Sequence, residues 1–142
     1  MRFCAVESRE GGTVRKMRLV VADNDNDALD LLVIDLRLEG HDVVGTAPNG
    51  DVALELCGRL TPDALVVDFR MPPGMNGVET ARRVHEVQPE LRVVLYTNYV
   101  NPSVARGARA AGAILIEKGN LRALRRALVD TAASPDGGRT KG

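Results

Sequence analysis

The sequence predicts an α/β domain, a doubly wound parallel sheet of five strands in the order 2-1-3-4-5 with helices on both faces. Three observations predict it. From Arg18 onward, short apolar runs alternate with helical patterns, and that alternation implies a parallel sheet covered on both sides. One run, Ala64-Leu65-Val66-Val67, has no polar face, as expected of a strand buried on both sides. It breaks abruptly at Asp68 into a stretch with Pro72, Pro73, Gly74, Asn76 and Gly77, which can only be a loop.

Each element has its own signal. Residues 1–16 show no sustained period, contain a Gly pair and read as a mobile leader, with Met17 restarting the chain. Arg18 to Ala22 is the first strand. A helix follows from about Asp27 to Glu39, capped by Asn26 or Asp25 and stopped at Gly40. Its stripe Leu29, Leu32, Val33 and Leu36 is joined by a second, Leu31, Ile34 and Leu38, so this helix is expected to pack on more than one neighbour.

Asp42 to Thr46 is the second strand, and Asn49-Gly50 turns the chain into a helix over 52–59 with Val52, Leu54 and Leu56 among its apolar positions. The central strand is followed by a helix from Gly77 to Gln88, closed by Pro89, and by a fourth strand from Leu91 to Tyr96. Asn101-Pro102 is a cap with proline at the first helical position, opening a helix to about Ala111. Ala113 to Ile116 is the fifth strand. Asn120 caps a last helix to about Ala133, and residues 134–142 read as a disordered tail.

Composition narrows the function classes. At 142 residues the chain is one domain by length, and 44% hydrophobic residues are enough for a core. Formal net charge is zero, which argues against a general binder of nucleic acid or anionic membrane. Cys4 and Cys57, without zinc spacing, suggest a reducing compartment. No apolar run reaches a bilayer's thickness and no apolar signal segment opens the chain, so a cytoplasmic location is the default expectation.

Four polar sets fall at strand tips: Asp23 to Asp27, Asp68, Thr97 and Lys118. With parallel strands all tips share one edge of the sheet. The order 2-1-3-4-5 places its switch point between strands one and three, which brings Asp23 beside Asp68 with Thr97 and Lys118 flanking. Clustered oxygen ligands suit a hard cation such as Mg2+. A carboxylate, such a cation, a hydroxyl and an ammonium together suit phosphoryl transfer onto an aspartate.

From Met17 to about Ala133 the chain resembles the receiver domain of bacterial two-component response regulators, a flavodoxin-like fold. DFRMPPGMNG resembles that family's phosphoacceptor strand and loop, and VVADND the acidic end of its first strand. The resemblance implies Asp68 as the residue that takes phosphate from a histidine kinase, with Thr97 as the hydroxyl residue and Lys118 as the lysine on the phosphoryl group. It implies Asp23, Asn24, Asp68 and the main-chain carbonyl of Arg70 as ligands of Mg2+. The expected partners are a histidine kinase or phosphotransfer protein and a downstream protein target, with no direct nucleic-acid or membrane contact. Homodimerisation is compatible with this reading. No enzyme activity is expected beyond self-phosphorylation from phosphodonors and slow autodephosphorylation. No effector segment is visible, so output is expected through protein contacts.

The departures from the family pattern carry information. Asn24 stands where most members have a second acid, which should weaken metal binding, with Asp25 a partial substitute. Pro73 adds a residue to the loop. Asn98 replaces a small residue, Leu115 stands where an aromatic switch residue is common, and GAILIEK is one residue short. Gly119 stands where many members have Pro.

Three other readings compete for these residues. An EF-hand loop opening at Asp23 would need Gly at Ala28 and Glu at Ile34, and fails. Asp23-Asn24-Asp25 resembles the nucleophile motif of haloacid-dehalogenase-like phosphatases, which need acids where this chain has Thr97-Asn98-Tyr99. A receiver-like interaction module that no longer uses phosphate is the remaining alternative.

Overall fold

The computed structural model describes residues 5–7 and 13–129, with side chains from residue 16 onward. The tail 134–142 lies outside the described residues, as do residues 1–4 and 8–12 of the leader. Where the leader's sequence shows no period, the backbone forms an antiparallel pair, β1 (Ala5–Glu7) with β2 (Thr13–Arg15).

The domain proper runs β3 (Arg18–Ala22), α1 (Asn26–Leu38), β4 (Asp42–Ala47), α2 (Gly50–Leu60), β5 (Ala64–Val67), α3 (Gly77–Val87), β6 (Arg92–Thr97), α4 (Pro102–Ala110), β7 (Ala113–Glu117) and α5 (Leu121–Ala127). The five strands form one parallel sheet in the order β4-β3-β5-β6-β7, the predicted 2-1-3-4-5. The last helix ends at Ala127, short of the expected Ala133, which lies outside the described residues.

Alternation along the strands divides the core into two layers. Val20, Leu65, Val67, Val93 and Leu95 face α2, α3 and α4, where they meet Ala53, Cys57, Ala81, Val84, Val104 and Ala108. Leu19, Val21, Val66, Val94 and Ile116 face α1 and α5, where they meet Leu29, Leu32, Leu36, Leu124 and Leu128. Each fully buried Val or Leu contributes about 1.5–3 kcal/mol relative to an exposed one, and the central strands are buried almost throughout.

Every helix begins at an Asn or Asp whose side-chain oxygen accepts a backbone N–H of the first turn: Asp25, Asn49, Asn76, Asn101 and Asn120. One expectation needs correction. The second stripe of α1 is mostly exposed: Leu31, Ile34 and Leu38 are 65, 55 and 79% exposed. In α2 the fully buried contacts come from the small residues Gly50, Ala53 and Cys57, with Val52, Leu54 and Leu56 only partly covered. The small residues follow from close approach, because a Cβ at Gly50 would collide with Thr80 and Met75 on the α3 side.

Candidate functional site

The sheet's hydrogen bonding continues one residue past three strand ends and fixes three polar residues there. Asp23 N–H donates to Ala47 O at 3.0 Å, Asp68 N–H to Ala22 O at 3.0 Å, and Lys118 N–H to Thr97 O at 2.9 Å. Position is therefore set by the rigid part of the fold, while the side chains converge in front of it.

The convergence is direct. Lys118 Nζ donates to Asp23 Oδ2 at 2.7 Å and to Asp68 Oδ2 at 3.3 Å. Asp23 Oδ1 accepts the Asp25 N–H at 2.9 Å and Asp68 Oδ1 the Phe69 N–H at 2.7 Å. Both aspartates are buried, with side chains 3 and 11% exposed, and the Lys118 side chain is 18% exposed. Burial alone would lower the Lys118 pKa, but the hydrogen bonds and charges of the two carboxylates outweigh it and hold the ammonium above its ordinary value.

Asp68 is held from the other side by α3. Gly77 N–H donates to Phe69 O at 2.7 Å, and a Cβ at Gly77 would collide with the Asp68 carbonyl and with Leu95. Glycine at the first position of α3 thus lets that helix start against the backbone of the acidic loop. The loop is anchored by Met71, which is 1% exposed, and its Pro72-Pro73 peptide is cis.

Thr97 ends β6, fully buried, and its Oγ1 accepts the Tyr99 N–H at 3.1 Å. The backbone ties Thr97 to Lys118, so the hydroxyl and the ammonium share one frame. Asn24 is exposed, with its amide nitrogen 3.5 Å from Pro72 O across the mouth of the site. Arg70 is exposed and its guanidinium lies over the Tyr99 ring, 5.9 Å from the centroid. Phe69 also reaches Tyr99, with centroids 6.2 Å apart.

Asp25 Oδ1 accepts the N–H groups of Asp27 and Ala28 and caps α1. Among the described residues no group of three or more His, Cys, Asp or Glu side chains gathers as a metal cage. Two features escaped the sequence reading: the Phe69–Tyr99–Arg70 cluster, and the Tyr96 hydroxyl, which accepts the Gly119 N–H at 2.9 Å. Their only sequence signal was proximity to Asp68 and Thr97, and Tyr96 was read only as the end of the fourth strand.

Comparison with known proteins bears on the family and the fold. Residues 19–128 match the model of the response regulator receiver domain. The transcriptional regulatory protein NarL of Mycobacterium tuberculosis is 33% identical over 124 residues, 85% of this chain and 57% of that protein. The response regulator GacA of Pseudomonas aeruginosa is 37% identical over 79 residues, 56% of this chain and 36% of GacA. The chain therefore spans little more than half the length of NarL and about a third of GacA. The solved signal receiver domain of M. tuberculosis NarL superposes with a TM-score of 0.70 at 32% identity, covering 79% of this chain and 96% of that one. No helix among the described residues is long and apolar enough to cross a membrane. With the family model matched over most of its length, this chain belongs to the response regulator receiver domain family.

Proposed function

We propose that the domain works in phosphorelay signalling by accepting a phosphoryl group on Asp68 from a phosphohistidine of a histidine kinase or phosphotransfer protein. The observation that carries this reading is the Lys118 ammonium joining the buried Asp23 and Asp68 carboxylates at the tip of the central strand. In the transfer, an Asp68 carboxylate oxygen bonds to phosphorus as the bond from phosphorus to the histidine nitrogen breaks, leaving an acyl phosphate and a free imidazole. Asp68 Oδ1 accepts the Phe69 N–H and Oδ2 the longer bond from Lys118 Nζ, so Oδ2 is the less tightly held of the two oxygens and the candidate attacking atom. Lys118 and the Thr97 hydroxyl then hold the phosphoryl oxygens, and hydrolysis returns the carboxylate.

The donor set fits Mg2+. Two carboxylates, the Asn24 amide oxygen and the Arg70 main-chain carbonyl are all hard oxygens, and the want of a third acid suits an ion that retains much of its water. Bound there, Mg2+ would neutralise charge on the phosphoryl oxygens. Met17 is buried and its N–H donates to His41 Nδ1 at 3.2 Å.

The test is intact-mass analysis after treatment with a small phosphodonor, with Mg2+ or with chelator. One Mg2+-dependent phosphoryl group per chain is expected. A chain that stays unmodified under both conditions would point instead to a receiver-like module that no longer uses phosphate.

A further inference from the structure

Lys118 sits in a turn that must be stiff if its ammonium is to stay between two carboxylates, because a lysine stem is long and freely rotating. The turn's own sequence offers little stiffness. Gly119 follows Lys118 at φ +96°, a conformation glycine adopts freely, and no atom lies within 4 Å of where its Cβ would be. The turn closes on its own Asn120 N–H, which donates to Glu117 O at 3.1 Å, and it is held further from β6. Thr97 O accepts the N–H of Lys118 at 2.9 Å, and Tyr96 Oη accepts the N–H of Gly119 at 2.9 Å.

These bonds take the peptide groups on either side of the Lys118 Cα, and consecutive residues of one buried strand supply them. The first is ordinary sheet pairing, available to any sequence. The second needs a side chain that crosses the layer between sheet and α1 and ends in an oxygen. Tyr96 does so: it is 7% exposed, packed in the α1–α5 layer, and lines one groove with Asp23, Lys118 and Gly119.

We propose that Tyr96 is a positioning residue for Lys118, its hydroxyl fixing the Gly119 peptide so that the ammonium stays on Asp23 and Asp68. The consequence for chemistry rests on the Asp68 reading above, but the positioning itself does not.

The test is Tyr96→Phe in the full chain, which removes one oxygen and keeps the ring. The direct readout is NMR of 15N-lysine-labelled protein, where Lys118 is one of only three lysines. The Lys118 ammonium is expected to exchange its protons about three- to tenfold faster in the variant, the factor that one neutral hydrogen bond carries. The second readout is the rate of labelling by a small phosphodonor. It should fall by a similar factor in Tyr96→Phe, and by less than about twofold when the same change is made in a Lys118→Met background. A purely structural tyrosine would slow both backgrounds alike.

Should Tyr96→Phe fail to fold, fluorotyrosine at position 96 in a Tyr99→Phe background keeps the core filled and weakens the hydroxyl as an acceptor. Ammonium exchange between the two extremes is then expected. Unchanged Lys118 exchange in a folded variant whose Gly119 amide has lost protection would overturn the proposal. If the wild-type chain takes no label at all, the Asp68 reading fails while the exchange measurement still decides the role of Tyr96.

Discussion

Lys118→Met removes the only cation that bridges Asp23 and Asp68 among the described residues, while keeping most of the apolar stem. Both carboxylates remain buried, each with a single backbone N–H as a hydrogen-bond partner. Removing one partner of a buried ion pair costs about 3–5 kcal/mol, while exposed pairs are worth about 0–1 kcal/mol. With the lysine side chain 18% exposed and the aspartates 3 and 11%, the site lies towards the buried end, and about 2–3 kcal/mol is expected. For a domain of this size that is a fall of roughly 7–13 °C in thermal midpoint. The assay is thermal and urea unfolding followed by far-UV circular dichroism at pH 7, in chelator and at low salt. Added Mg2+ should then stabilise the variant more than the wild type, because the variant has no ammonium competing for the carboxylates. A variant within about 0.5 kcal/mol of wild type in chelator, the ordinary range for a surface change, would refute the reasoning.

Other outcomes follow from the same structure. His41 is buried with Nδ1 accepting the Met17 N–H, and burial holds its pKa below 6.5 although nearby Glu39 pulls the other way. The unfolded chain therefore takes the proton first, so the His41 contribution is complete above about pH 6.5 and lost as pH falls below it; His41→Asn should flatten unfolding free energy between about pH 7.5 and 5.5, and an unchanged slope would count against it. Asn24→Asp adds a carboxylate beside the site and should tighten Mg2+ binding several-fold in a titration, whereas equal or weaker binding would contradict the assigned ligands. The Thr97 hydroxyl cannot keep the Tyr99 N–H in its present geometry if a phosphoryl group draws it away. With a phosphoryl mimic at Asp68, the largest amide shifts should therefore span Asn98 to Ser103, and shifts centred on Leu115 and α5 with that loop still would contradict this route.

The sheet was legible because its signals are redundant: buried strands without a polar face, polar residues at each tip, and alternation with helices. The site followed from topology, since parallel strands must place Asp23, Asp68, Thr97 and Lys118 on one edge. One helix start was harder: α2 was expected from Val52 and begins at Gly50, while α3 begins at Gly77 as expected. Asn49-Gly50 and Asn76-Gly77 both resemble turns, because Asn-Gly is a strong short turn signal. Here the Asn is an N-cap and the Gly is the first helical residue, kept small by close approach of Thr80 and Met75 in one case and of the Asp68 carbonyl in the other. Such approach is a tertiary fact with no local signature. The outer stripe of α1 failed for a related reason: periodicity places Leu31, Ile34 and Leu38 on one face without saying whether anything covers it. Tyr96 was hidden because it reads only as the end of an apolar strand, and its hydroxyl's partner lies 23 residues away.

The most direct measurement of the central claim is the position of the label. The chain is treated with a small phosphodonor and Mg2+, reduced with borohydride to convert any aspartyl phosphate to homoserine, and mapped by peptide mass. The account predicts homoserine at position 68, absent when chelator replaces Mg2+ and absent in Asp68→Ala. Full-yield labelling of the Asp68→Ala protein would contradict it.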